Sequence, residues 1–238
     1  MAEDNRSLAG QTADALIAYI VDRGLEQGDR LPNERELSGL LGVGRSTLRE
    51  AVRMLSSRNI LEARQGAGVF VSGNTGVSDD PLGFTFIRDK QKLAADLVEF
   101  RMMLEPRVAA LAALRATPAQ ADELAALALA VEQRYAAGAR HTQEDAAFHA
   151  KLGKLSGNVV IPNLEPIILG AIDLFIDLTD ARLKEETISS HRAIVEAVRA
   201  NDPIAAEDAM TLHLVYNRNR LRGLLARDGQ TGDTKERR

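Results

Sequence analysis

Apolar residues recur at helical spacing along most of the chain, and a short stretch near the N-terminus departs from that rhythm. Leu16, Ile17, Ile20 and Val21 mark one helix face. Leu37, Leu40 and Leu41 mark a second over roughly 33–41, and Leu48, Ala51, Val52 and Leu55 a third over roughly 45–57. Gly42 separates the last two and tolerates the left-handed backbone that ends a helix. Leu61 to Arg64 and Val69 to Val71 then read as a hairpin around Gln65, Gly66, Ala67 and Gly68. Two short amphipathic helices joined by a glycine-containing turn, then a glycine-tipped hairpin, are the parts of a winged helix-turn-helix in order.

Past this unit the pattern changes twice. A connector rich in turn formers covers 73–90, and helical periodicity without any strand pattern fills 91–227. The periodicity predicts about six helices, over 91–116, 118–137, 142–156, 159–180, 183–200 and 203–226. Their breaks fall at Thr117-Pro118, Gly138, Ser156-Gly157-Asn158 and Asn201-Asp202-Pro203. Pro106 inside the first predicts a kink or a division there. The polar tail 228–238 is expected to be disordered. The fold class is therefore mainly α: a winged helix-turn-helix in 1–72, a linker in 73–90 that is the candidate hinge, and an all-α bundle in 91–227.

Net charge is −4, which argues against a chain basic throughout, but charge is unevenly placed. Between residues 35 and 64 six arginines face three glutamates, a local excess of +3. There is no cysteine, so disulfides and thiolate metal sites are excluded. With no apolar run of membrane-spanning length and a polar, acidic start, the chain reads as soluble and cytoplasmic, with no membrane partner.

The arginine excess has an address. Burying Leu48, Ala51, Val52 and Leu55 leaves Arg45, Arg49 and Arg53 on the opposite helix face. Arginine's planar fork can give two hydrogen bonds to guanine and also reach phosphates, which makes Arg45 and Arg49 the candidates for base edges of double-stranded DNA. Arg35, Ser46 and Thr47 sit at helix starts suited to phosphate or base-edge contacts, and Gly66 at the hairpin tip permits close approach to the duplex. Glu36 and Glu50 are placed to neutralise part of the stripe, Arg53 first.

A second constellation lies in the helical region. Asp145 and His149 are four apart on one predicted helix, so they share a face. His191 and His213 each stand eleven residues from Asp202, in the turn between two predicted antiparallel helices, which puts both about 16 Å from the turn. If all face inward, one carboxylate and three imidazoles meet, a donor set for zinc first, then nickel, manganese or iron. An octahedral ion so held keeps positions for a small oxygen ligand. Arg101 is the candidate to neutralise a carboxylate effector, and Asn217, four residues after His213, can reach the same pocket. Spacing alone favours an ordinary Arg101–Glu105 pair over a ligand contact, and His141 has no partner at useful spacing.

Residues 31–71 resemble the GntR-family winged helix through Leu31-Pro32, Glu34-Arg35, Arg45, Leu48-Arg49-Glu50-Ala51 and Gln65-Gly66-Ala67-Gly68. Gly44 departs from the serine common in that family. Residues 93–225 resemble the FCD ligand-binding domain of the FadR subfamily through Arg101, Leu104-Glu105-Pro106, Asp145, Phe148-His149, Ser156-Gly157-Asn158, His191 and His213. The resemblance implies operator contacts at Arg35, Arg45, Arg49 and Gly66. It also implies a divalent metal on Asp145, His149, His191 and His213, and an effector carboxylate on Arg101. The expected function is a homodimeric, metabolite-responsive transcription regulator and not an enzyme, a repressor released by a hydroxy acid or sugar acid. The alternatives are an acyl-CoA-responsive or ligand-independent regulator, and a metal-dependent hydrolase or dioxygenase fused to a DNA-binding domain.

Overall fold

The structure, a computed structural model, describes residues 7–73, 82–179 and 183–233. Its contacts divide into two compact units, Met1–Pro81 and Leu82–Arg238.

In the first unit, α1 (Leu8–Asp22), α2 (Glu34–Leu41) and α3 (Arg45–Ser57) precede β1 (Leu61–Arg64) and β2 (Gly68–Val71). Asn33 starts α2 with a capping box: its side chain accepts the Arg35 and Glu36 amides at 3.0 Å each, and Glu36 accepts the Asn33 amide at 3.1 Å. Gly42 ends that helix at φ 65°, a conformation costly for residues with a Cβ. The core joins Leu16 and Ile20 of α1, Leu37 of α2, Leu48, Ala51 and Leu55 of α3, and Leu61 and Val71 of the hairpin. The strands pair antiparallel, Leu61 opposite Val71 and Arg64 opposite Gly68. The Leu31 amide bonds Val69 and the Val71 amide bonds Asp29, so the segment before α2 adds a short edge to the hairpin.

The second unit is all helical: α4 (Lys90–Arg115), α5 (Pro118–Ala136), α6 (Thr142–Leu155), α7 (Glu165–Thr179), α8 (Lys184–Arg199) and α9 (Pro203–Asp233). No division occurs at Pro106, which is buried within one continuous α4. The helix predicted from 159 begins instead at Glu165, after a 3-10 turn at Ile161–Leu164. There Asn158 accepts the Val160 amide in a side-chain turn that competes with a regular helix start. The backbone of α9 is helical to Asp233, past the predicted 226 and into the segment expected to be disordered; residues 234–238 lie outside the described set. Of the linker, 74–81 likewise lies outside it.

Three apolar clusters carry this bundle among the described residues, two of them large. One joins Val108, Ala109, Ala112 and Ala113 of α4 to Phe148 and Leu152 of α6, Ile194 and Val198 of α8, and Met210 and Leu214 of α9. The other joins Ala94 and Val98 of α4 to Ile172, Phe175 and Ile176 of α7 and Leu221 of α9. Along α4, the buried charged residues Arg101 and Glu105 fall between the two clusters. The turn from α8 to α9 is fastened by Asn201, which donates to the Ala113 carbonyl at 2.9 Å, and by Asp202, which accepts the Ile204 and Ala205 amides at 3.0 Å each.

Candidate DNA interface and candidate metal centre

The outer face of α3 presents Arg45, Ser46 and Arg49 to solvent, with Thr47 half-buried at the helix start. Arg35 is exposed on the first turn of α2, and Gly66 is exposed at the hairpin tip with φ 72°. Gly44 occupies the N-cap of α3 and supplies no side-chain cap, so the first-turn amides of α3 lack that partner.

The stripe is less free than its spacing suggested. Arg53 pairs with Glu50 at 3.0 Å, the pairing foreseen. Arg49 is also engaged, by a carboxylate outside the counted stretch: Glu34 accepts from Nε at 3.0 and 3.1 Å and from Nη2 at 3.0 Å. The hydrogen bond from Arg49 holds the Glu34 carboxyl below its usual pKa. On the hairpin, Arg64 pairs with Glu62 at 2.9 Å and its guanidinium lies 4.4 Å from the Phe70 ring centroid.

In the second unit four helices bring the predicted residues together. Arg101 comes from α4, Asp145 and His149 from α6, His191 from α8, and His213 and Asn217 from α9, and all six are buried. One ring nitrogen from each of His149, His191 and His213 lies within 4.8 Å of the others, the arrangement of a group able to hold a metal ion. The equal distance of His191 and His213 from their turn is realised as ring centroids 4.9 Å apart. Asp145 stands at the margin: Oδ1 is 3.5 Å from His191 Nε2 and Oδ2 is 4.0 Å from His149 Nε2.

The surroundings set the ring nitrogens for coordination. The Ser190 hydroxyl has the Glu186 and Thr187 carbonyls at 2.6 and 3.1 Å to donate to, so it accepts from His213 Nδ1 at 2.9 Å. That tautomer leaves His213 Nε2 with its lone pair. His149 Nδ1 lies 2.6 Å from Glu105 Oε2, which likewise favours a proton on Nδ1. His191 stacks on Phe148 with centroids 4.1 Å apart, and neither of its nitrogens has a hydrogen-bond partner; nor does Asp145 Oδ1. Burial, and then the neighbouring His149, push His191 well below its ordinary pKa; burial and then His191 do the same to His213. His191 and His213, held well below their ordinary pKa, and His149 form with the unpartnered Asp145 Oδ1 a buried donor set that fits a divalent ion.

Arg101 forms the pair that spacing favoured. Its Nε donates to Glu105 Oε1 at 2.5 Å, and Nη2 lies 3.3 Å from Glu105 Oε2 and 3.2 Å from His149 Nε2. Burial alone would raise the Glu105 pKa, but the Arg101 charge, with His149, holds it well below the carboxylate range. Arg101 is nevertheless part of the lining of an enclosed cavity, with Asp145, His213, Asn217, Ile172 and Phe175 among its other walls. The free space there is about 10 Å³, room for a water and not for an organic acid.

One residue escaped the sequence reading. His141 is buried, lines the same cavity, and packs on Tyr135 with ring centroids 4.0 Å apart. Its Nδ1 has no hydrogen-bond partner, and burial lowers its pKa. Beside it, Arg140 reaches across to α7, pairing with Asp177 at 2.5 Å and Asp173 at 2.6 Å.

Comparison with known proteins accounts for both units. Residues 8–71 match the bacterial regulatory proteins of the gntR family, and residues 96–216 match the FCD domain. The chain is 29% identical to the putative L-lactate dehydrogenase operon regulatory protein of Escherichia coli K12, covering 89% of this chain and 85% of that one. It is 30% identical to the Uxu operon transcriptional regulator of the same organism, covering 82% and 79%. Among solved structures, Streptococcus agalactiae GntR is 44% identical and superposes with a TM-score of 0.78, covering 89% of this chain and 99% of that one. Among the described residues, no helix is long and apolar enough to cross a membrane. With both domains and these relatives belonging to transcription regulators and not to enzymes, the chain belongs to the GntR family of DNA-binding regulators, in the FadR-like branch that carries an FCD domain.

Proposed function

We propose that this effector-responsive regulator acts as a homodimeric repressor, released from its operator by a small hydroxy or sugar carboxylate bound at a metal site. The observation that carries the reading is the cluster of three buried imidazoles, one of which, His213, lines a cavity together with Arg101, Asp145 and Asn217. His149, His191, His213 and Asp145 would hold a divalent ion, zinc first and nickel, manganese or iron next, which supplies positive charge and open positions for carboxylate oxygens.

The chain's own residues do the rest. Ser190 and Glu105 orient His213 and His149 from behind. Arg101, already sharing its charge with Glu105, offers the carboxylate a cationic wall, and the Asn217 amide, 3.5 Å from His213 Nε2, offers a donor. One relative's name joins it to an L-lactate dehydrogenase operon, and lactate is a small hydroxy acid of this class. On the DNA side, Arg35, Arg45, Ser46, Thr47, Arg49 and Gly66 form the operator contacts, and a two-fold dimer reads a pseudo-palindrome. Because the cavity in this state has room for no more than a water, the acid binds a second state, and its preference for that state limits how far operator affinity falls.

The test is isothermal calorimetry of zinc-loaded protein with small hydroxy and sugar acids, beside His191→Ala. Binding that disappears in the variant supports the reading; binding retained in a variant that holds no metal refutes the metal-dependent part.

A further inference from the structure

His141 occupies a position that its own helix does not explain. It is the N-cap of α6, where serine, threonine, aspartate or asparagine would accept a first-turn amide, yet its side chain makes no cap. It is instead buried in the cavity wall with Nδ1 unpartnered. A residue that forgoes a local stabilising contact and leaves a buried polar atom unsatisfied is what a binding site produces and a folding role does not. The rest of the wall is divided in character. Tyr135 lies beside His141, and Thr179, Thr187 and Asn217 add further polar groups, whereas Ile172, Phe175, Ile176 and Leu183 contribute only apolar surface.

We infer that His141 hydrogen-bonds the part of the effector beyond its carboxylate. This deepens, and rests on, the carboxylate reading above. A short hydroxy acid brings a hydroxyl for His141 and an alkyl flank for Ile172, Phe175, Ile176 and Leu183.

The experiment is calorimetry of the zinc-loaded full chain with L-lactate, L-2-hydroxybutyrate, D-gluconate and D-galactonate. It is repeated on His141→Ser and His141→Asn, with the thermal midpoint of each protein recorded. Both replacements can cap α6, so their midpoints are expected to equal or exceed that of the wild type. The Kd of the hydroxy acids is expected to weaken about tenfold in the variants, the effect of one buried hydrogen bond. Equal hydroxy-acid binding by wild type and variants would overturn the role of His141 and leave the carboxylate reading standing. Binding of none of the four acids by metal-loaded wild type would overturn the carboxylate reading and this inference with it.

Discussion

The Oε2 atom of Glu105 lies 2.6 Å from Nδ1 of His149, while Oε1 of the same carboxylate takes a hydrogen bond from Arg101 Nε at 2.5 Å. One buried carboxylate therefore orients a candidate metal ligand and balances the candidate effector-binding cation. Glu105→Gln keeps the volume and removes the charge, and is expected to weaken metal affinity by about 10–100-fold, the usual cost of losing such a partner. Zinc titration against a competing chelator checks it.

Arg101→Ala leaves the Glu105 carboxylate buried without its cation, and is expected to cost about 3–5 kcal/mol in denaturant unfolding. The single variant therefore confounds effector loss with instability. The double variant Arg101→Met with Glu105→Gln is expected to recover much of that stability while still failing to bind the acid, which paired urea melts and calorimetry would show.

Arg49 meets Glu34 through the Nε and Nη2 edge of its guanidinium on the exposed face of the first unit. Arg49→Ala is expected to lower specific operator affinity tenfold or more, roughly the worth of one bidentate base contact, with an unchanged thermal midpoint. Glu34→Gln is expected to shift affinity the other way, because DNA no longer competes with the carboxylate for the guanidinium. Fluorescence anisotropy with a duplex selected by the wild type distinguishes the two; an Arg49→Ala protein with full affinity and sequence preference would remove Arg49 from the interface.

Arg140 ties the loop bearing His141 to Asp173 and Asp177 on α7, the helix that also supplies Ile172, Phe175 and Ile176 to the cavity wall. Since the cavity must enlarge to admit an acid, Arg140→Ala is expected to raise the association rate of L-lactate several-fold in stopped-flow measurements. The pair is exposed, so added salt is expected to produce part of the same effect in the wild type.

Local patterns account for what the sequence revealed. The α2–α3 pair announces itself through apolar periodicity and Gly42, and the hairpin through its glycines, because those signals lie within a few residues of one another. The His191–His213 meeting was legible because a turn converts equal sequence distances into equal heights. Contacts between distant segments were not. Glu34 reaches Arg49 from fifteen residues away across a helical turn, and no periodicity encodes that. His141 packs on Tyr135 around a loop, a spacing that carries no helical meaning, and as an N-cap it resembles none of the usual capping residues. Pro106 was a strong helix-breaking signal that tertiary packing overrode, with Val108, Ala109 and Ala112 just after it buried in the larger core.

A carboxylate held at the histidine cluster is expected to lower operator affinity. The most direct measurement is operator-binding anisotropy of zinc-loaded protein titrated with L-lactate, run beside His191→Ala. The acid is expected to weaken DNA binding by the wild type and to leave the variant's binding unchanged. An identical response in both proteins would contradict it, as would DNA binding by the wild type that no small carboxylate alters.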